Sequence, residues 1–476
     1  MDKANKIIRT RIAPSPTGEY HIGHLRTCLY DYALAKKEKG QFIIRIEDTD
    51  QKRFVQGSME RTLQVIKDYG LNWDEGPDIG GPYAPYVQTQ RLDIYKKYIQ
   101  KLLDKKLAYY CFCSQERLDN LRTTQKASGQ LPKYDQHCLH LSPAEIQKNL
   151  DAKIPYTIRM LIPQNETIVF EDAVRGKIKF STNDIDDQVL IKSNGIPTYH
   201  FAAVVDDHLM NITHVFRGEE WLTSTPKHLL LYKYLGWQPP IFAHLTVLLN
   251  PDGKGKLSKR HGATSARSFL DDGYLPEAML NFLMFLGWNP GDNREFFTLD
   301  EFVKEFSLDH LHKKSPIFDR KKLDYLNGYY LRQKSDKELF KLFKKILPKA
   351  KDRQIKILVP VLKDRIVKLS DLPEQTKFLF QDVEYDKNLL LKKGTDLKLA
   401  RQMLEKSKEV LINFSDLQNR IMELIQKNNW NVGEFFMVFR VAICGSAFTP
   451  PVVDCLPALG KSSTLRKLDI ALAKLS

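Results

Sequence analysis

A strand, a turn, a helix and a second strand follow one another within the first 46 residues, and this succession limits the fold more than any other part of the chain. Residues 7–12 (IIRTRI) read as a short buried strand, and residues 14–18 (PSPTG) as a turn with two prolines and a glycine. From 22 to 39, apolar side chains recur at Leu25, Cys28, Leu29, Tyr32 and Ala35, one face of a helix that Gly40 is placed to end. Residues 42–46 (FIIRI) supply the second strand. Such a βαβ unit requires parallel strands and a right-handed crossover. Its ligand crevice lies at the carboxyl ends of the strands, beside the Pro/Gly turn, the start of the helix and Glu47.

Helical periodicity returns over 90–106, and residues 156–160 and 168–170 read as strands of a mixed insertion. The sheet is expected to resume near 188–191 and 214–216, with a helix over 219–235 and a strand over 243–249. That strand leads into a flexible loop at 250–255 (NPDGKG). Beyond about residue 330 the strand signal fades. Helices are expected over 336–347, 396–411 and 434–444, the last ended by Gly445, and residues 415–418 fit a capping box. The fold class is thus an α/β front followed by an all-helical rear. The rear is also basic: residues 331–476 hold 28 Lys+Arg against 17 Asp+Glu, a net of +11 of the chain's +15. That asymmetry points to a polyanionic partner; solvated lysine-rich helix faces are the plain alternative. No run of about 18 apolar residues offers a membrane span, and residues 1–6 (MDKANK) offer no apolar signal core, so a cytoplasmic protein is expected.

Two segments carry chemistry. Residues 13–24 (APSPTGEYHIGH) place His21 and His24 three apart, on one face of a first helical turn whose free N–H groups favour phosphate. Gly23 between them admits a flat ring or a ribose. The second segment puts Lys254, Lys256, Lys259 and Arg260 within seven residues, with Ser258 adding a hydroxyl. Such a loop can fold over a triphosphate and stabilise charge that grows in the transition state. Alone, these would be surface histidines and a solvated basic loop. Both follow strands of one sheet and so meet at one crevice.

With these segments the sequence resembles the bacterial-type glutamyl-tRNA synthetases, a class I family. Residues 13–24 match its HIGH signature, and residues 256–260 (KLSKR) match KMSKS. The blocks FIIRIEDTD (42–50), GGPYAPY (80–86), QRLDIY (90–95), YYCFCS (109–114), GIPTYH (195–200), VVDDH (204–208), FRGEE (216–220) and FDRKKLDYLN (318–327), and the closing stretch 460–468, are also similar. The resemblance implies a Rossmann-like catalytic domain in two halves, 1–85 and 188–250, around an acceptor-end-binding insertion at 86–187. A KMSKS loop and stem-contact region at 251–330 and an all-helical anticodon-binding region at 331–476 would follow. It implies ATP-dependent activation of L-glutamate to glutamyl-adenylate, with Mg²⁺ on the phosphates, and transfer to the terminal adenosine of tRNA(Glu) by a monomeric enzyme that needs tRNA bound first. His21, His24, Lys256 and Lys259 would be catalytic, and Gly23, Leu257, Ser258 and Arg260 would join them around ATP. Arg11, Ser15, Glu47, Tyr199 and Arg217 would hold glutamate, with Arg217 on the side-chain carboxylate and Glu47 on the ammonium. Two carboxylates call for cationic partners, and arginine's planar fork suits them. As plain structural residues, Arg11 and Arg217 would instead pair with Asp48, Asp50 or Asp206. Ala203 stands where some members carry an asparagine near the substrate. A non-discriminating enzyme that also charges tRNA(Gln), and a non-catalytic tRNA-binding paralogue, remain as alternatives.

The cysteines add one more site. Cys111, Cys113, Cys138 and His140 offer three thiolates and an imidazole, a donor set for a closed, structural zinc ion. Part of the family has zinc with this arrangement. His137 and Tyr134 are rival fourth ligands, and buried free thiols are the plain alternative. Cys28, Cys444 and Cys455 read as core or loop residues without chemistry. The aromatics Trp430, Phe435 and Phe436 in the rear could stack on bases, but aromatics on a helix more commonly face a core.

Overall fold

Strand β1 forms over Arg9–Ile12 and strand β2 over Gln41–Ile44, parallel, with Arg11 opposite Ile43. Helix α1 between them runs Ile22–Lys37. The structure is a computed structural model that describes residues 7–258, 264–391 and 395–476. Gly40 closes the end of α1 with its N–H on the Ala35 carbonyl at 2.7 Å, but it is not the left-handed residue there. The C-cap is Glu38, whose N–H reaches the Leu34 carbonyl, and Lys39 takes the left-handed turn at φ 51°. Gly40 also serves a close approach: a Cβ there would lie 2.0 Å from the Ile8 carbonyl oxygen, so only glycine lets the chain enter β2 beside β1.

The chain divides into two compact units, Met1–Ser268 with Leu280–Asp319, and Phe269–Met279 with Arg320–Ser476. Among the described residues all the strands lie in the first: β3 (Ala108–Cys111), β4 (Thr157–Met160), β5 (Thr167–Asp172), β6 (Gly176–Ser181), β7 (Val189–Ile191), β8 (His214–Gly218) and β9 (Ile241–Leu245) follow β1 and β2. β8 and β9 are parallel, with Arg217 opposite His244. β8 starts beside β1, where the Thr213 N–H donates to the Arg9 carbonyl at 2.9 Å. The strands β9, β8, β1 and β2 therefore end along one edge, as the βαβ reading expects. The β5–β6 hairpin meets β9 at a single register position, Asp172 opposite Phe242.

Residues 188–191 do not rejoin that sheet. β7 pairs with β4 in a separate antiparallel sheet ordered β3, β4, β7. A short apolar run announces a buried strand but not its partner. The expected helix over 219–235 is a 3₁₀ turn, Glu219–Ser224, followed by the α-helix Thr225–Leu235. Residues 250–255 are a closed hairpin turn: the Asn250 N–H donates to the Gly255 carbonyl, and Leu249 pairs with Lys256.

The second unit is helical among its described residues, with helices Asp336–Ile346, Leu397–Val410 and Val432–Cys444 where expected. Gly445 ends the last of these at φ 69°. The capping box expected at 415–418 does not form. Asp416 sits in the left-handed region, and the Ser415 hydroxyl donates to Asn413 Oδ1. Ser335 and Glu338 make such a box at another helix start. Phe435 is buried in this unit's core, with Phe436 and Trp430 packed against it, so these aromatics are structural. Cys28, Cys444 and Cys455 are buried in their units.

Candidate active site

A cleft of about 810 Å³ opens at the carboxyl ends of β1, β8 and β9 and beside the residues that follow β2. His21 caps α1: its Nδ1 accepts the Gly23 N–H at 2.9 Å, which leaves its proton on Nε2. A Cβ on Gly23 would lie 3.1 Å from that Nδ1, so glycine keeps the cap uncrowded. The His24 ring lies at the cleft, 6.2 Å from that of His21. The cleft walls lower its pKa below the ordinary imidazole value by desolvation; Glu220 opposes the shift and Lys256 adds to it. Leu257 is buried and donates its N–H to the Leu248 carbonyl, which anchors the second segment to the strand side of the cleft. The exposed Lys256 ammonium lies 3.3 Å from Glu220 Oε1. Ser258 is the last residue of the segment among those described; Lys259 and Arg260 lie outside the described residues.

The residues expected around glutamate, Arg11, Ser15, Glu47, Tyr199 and Arg217, line the same cleft. Ser15 is exposed at the cleft, and Tyr199 opens the helix Tyr199–Leu209 with its ring 4.5 Å from that of Trp221. Ala203, in the same helix, is buried and does not line the cleft. Arg11 is ion-paired, but to none of the acids the sequence suggested: its Nε donates to Asp207 Oδ1 at 3.0 Å. Asp207 also takes Arg45 Nη1 at 2.7 Å, and Arg45 Nη2 holds Glu47 Oε1 at 2.8 Å. Burial raises the Glu47 carboxyl above the usual range, while Arg45 and Arg11 pull it back. Asp206 is structural: it accepts from Arg91, Gln88 and Tyr95 and so ties the 88–95 segment to the helix Tyr199–Leu209.

Arg217 differs from Arg11. It is buried, lines the cleft and makes no ion pair among the described residues. Its partners are His244 Nε2 at 3.0 Å, His228 Nδ1 at 3.0 Å and Thr225 Oγ1 at 2.7 Å. Uncharged acceptors thus hold a cation at the wall of a cleft, an arrangement that leaves its charge for an anion. Sequence reasoning missed Asp207, Arg45, His228, His244 and Asp172. A histidine within the apolar run 241–245 (IFAHL) was a usable signal, because a polar side chain in a buried strand must have a partner.

The thiols of Cys111, Cys113 and Cys138 lie within 4.8 Å of one another. His140 is not with them. The 3₁₀ turn His137–His140 points Cys138 inward and leaves His137 and His140 exposed, since residues two apart on a three-residue turn face different ways. The Tyr134 hydroxyl comes close instead, 3.3 Å from both Cys111 and Cys113 sulfurs, and it accepts the Cys138 N–H at 3.0 Å. Three thiols and one oxygen donor fit a closed zinc site. Hydrogen bonds from Cys138, Tyr134 and Arg159 outweigh burial and pull the Cys111 thiol down to about 4.

A family model described as "tRNA synthetases class I (E and Q), catalytic domain" matches residues 7–325, and one described as "Anticodon binding domain" matches residues 338–472. The glutamate–tRNA ligase of Clostridium tetani is 45% identical over 480 aligned residues, and that of Borreliella afzelii 43% over 481; each alignment covers 98% of both chains. A glutamate–tRNA ligase from Elizabethkingia meningosepticum, crystallised with its amino acid, superimposes with a TM-score of 0.88 at 37% identity over 99% of this chain and all of that one. The chain belongs to the glutamate–tRNA ligase family of class I aminoacyl-tRNA synthetases, with its catalytic domain ahead of a helical anticodon-binding domain.

Proposed function

We propose that this enzyme activates L-glutamate with ATP, accompanied by Mg²⁺, and transfers it to the terminal adenosine of tRNA(Glu). The observation that carries the substrate is Arg217, a buried guanidinium facing the cleft with no carboxylate partner among the described residues. In this reading Arg217 takes the side-chain carboxylate, Glu47 the ammonium, and Arg11, Ser15 and Tyr199 complete the pocket. His21 and His24 meet the nucleotide at the start of α1. Lys256, with Leu257 and Ser258, and then Lys259 and Arg260, supplies the cationic loop. No side chain is a covalent nucleophile; catalysis is positioning plus stabilisation of developing phosphate charge. The segment 86–187 would grip the acceptor end and the second unit the anticodon. A cytoplasmic monomer is the expected form of the enzyme.

Charging assays with purified tRNA(Glu) and tRNA(Gln) test this reading. Glutamylation of tRNA(Glu) is expected. Transfer to both would mark a non-discriminating enzyme, and no charging of either would refute the proposal.

The cysteine cluster is proposed as a structural zinc site with Cys111, Cys113 and Cys138 as ligands and the Tyr134 hydroxyl as the nearest fourth donor. Cys138→Ala is expected to abolish bound zinc by metal analysis, while His140→Ala keeps it. Equal zinc in the wild type and Cys138→Ala would remove these ligands from consideration.

A further inference from the structure

A guanidinium carries five N–H donors and no acceptor, so each contact of Arg217 fixes the role of its partner. His244 Nε2 accepts from Arg217 Nε, which places the His244 proton on Nδ1, 2.6 Å from Asp172 Oδ2. His228 Nδ1 accepts from Arg217 Nη1, which places its proton on Nε2, and that proton is donated to His200 Nδ1 at 3.0 Å. His200 in turn carries its proton on Nε2, and its ring lines the cleft. Two imidazoles are thus set in defined tautomers, by Arg217 at one end and by Asp172 or His200 at the other. Burial, with the nearby charge of Arg217, lowers the pKa of both His228 and His244, and for His244 this outweighs the opposing pull of Asp172. Both rings are therefore neutral at pH 7. The guanidinium also lies over the Phe242 ring, 4.9 Å from its centroid.

The arrangement depends on the sheet. Arg217 and His244 are register partners on β8 and β9. Asp172 reaches His244 because the β5–β6 hairpin meets β9 at that one residue. Its carboxylate is locked there by the N–H groups of Val174 and Arg175 at 3.0 and 2.9 Å.

We propose that His244 and His228 are positioning residues for Arg217, aiming its guanidinium at the substrate's side-chain carboxylate without neutralising it, and that they thereby set the preference for glutamate over glutamine. The inference rests on the reading of Arg217 given above. A carboxylate in direct contact with Arg217 would also orient it, but would already satisfy its charge, and an amide and a carboxylate would then bind more nearly alike. Imidazole nitrogens orient without that loss. Among the described residues three of the five N–H groups are engaged, and the two that remain, one on each Nη, are left for the two oxygens of a carboxylate.

The test is glutamate titration of tRNA charging at saturating ATP, with glutamine as competitor, for His244→Phe, His244→Gln, His228→Phe, His228→Asn and Arg217→Ala. The phenylalanine variants are expected to raise KM for glutamate about tenfold or more, with a smaller change in kcat, and to narrow the glutamate/glutamine ratio. His244→Gln places an amide oxygen where Nε2 stood, and His228→Asn places one where Nδ1 stood, so both should recover most of the loss. Unchanged KM in the phenylalanine variants, or losses that the amide variants do not recover, overturns the inference and leaves the histidines as packing. Thermal unfolding midpoints identify a phenylalanine variant that fails to fold, in which case the amide variants decide alone: near-normal KM and selectivity support the inference, and a tenfold rise overturns it. If Arg217→Ala itself leaves KM for glutamate unchanged, the reading of Arg217 fails instead, and the two failures are thereby told apart.

Discussion

Arg217→Ala should reduce kcat/KM for glutamate by about 10²- to 10⁴-fold in ATP–pyrophosphate exchange with tRNA present, while KM for ATP stays within about threefold of the wild type. The range follows from two charge-assisted hydrogen bonds at about 1.5–3 kcal/mol each. The loss should be concentrated on glutamate because the hydrogen bonds that hold Arg217 at the end of β8 run to His244, His228 and Thr225, and none of these residues belongs to the α1 terminus or to the Lys256 segment. Lysine is not an adequate substitute. One ammonium cannot reach His244, His228 and Thr225 together and still present two parallel donors to a carboxylate. Arg217→Lys should therefore recover less than about a tenth of the lost kcat/KM. A drop confined to ATP, or equal drops for both substrates, would show that Arg217 supports the cleft as a whole and does not read glutamate.

Arg11 and Arg217 show how far the sequence could be read. Both were expected as cations around a substrate with two carboxylates, and both are buried at the cleft. Their environments were not legible, because each depends on residues that only tertiary structure brings together. Arg11 meets Asp207, 196 positions away, and Arg217 rests through His244 on Asp172. Local signals fared better where the cause was local. The βαβ unit, the start of α1 and the Gly445 helix end were all written in a few consecutive residues. Gly40 was read as a helix end alone, when its position also answers a close approach from Ile8, a neighbour set by strand pairing. The donors proposed for zinc divide in the same way. The C-x-C pair and Cys138 were plain, but whether His140 or Tyr134 stands beside them depends on the phase of a 3₁₀ turn.

Asp207→Asn should cost the first unit about 3–5 kcal/mol, because it leaves two buried guanidinium groups short of their shared counter-charge. Asp207 takes both Arg11 and Arg45, and the Arg45 side chain is fully buried. Burial alone would raise the Asp207 carboxyl, but Arg11 and Arg45 outweigh it and hold the pKa below the usual value. The sign of the pH dependence follows. A carboxylate with a lowered folded-state pKa contributes stability above its unfolded pKa of about 3.9, and loses that contribution as pH falls through the folded value. The gap between wild type and Asp207→Asn in urea unfolding should therefore be full at pH 7, persist at about pH 5, and close only below about pH 4. A gap that stays constant into acid would assign the loss to altered packing and not to the charge. Function should fall with stability, since Asp207 holds Arg11 and, through Arg45, the Glu47 carboxylate proposed to meet the substrate ammonium. Because Arg217 stands on separate supports, Asp207→Asn should weaken glutamate binding at Arg11 and Glu47 and spare the contact with the side-chain carboxylate. An analogue lacking the amine that Glu47 would meet, glutarate, should then lose less affinity than glutamate itself. Glutarate weakened as much as glutamate would mean that the two halves of the pocket collapse together.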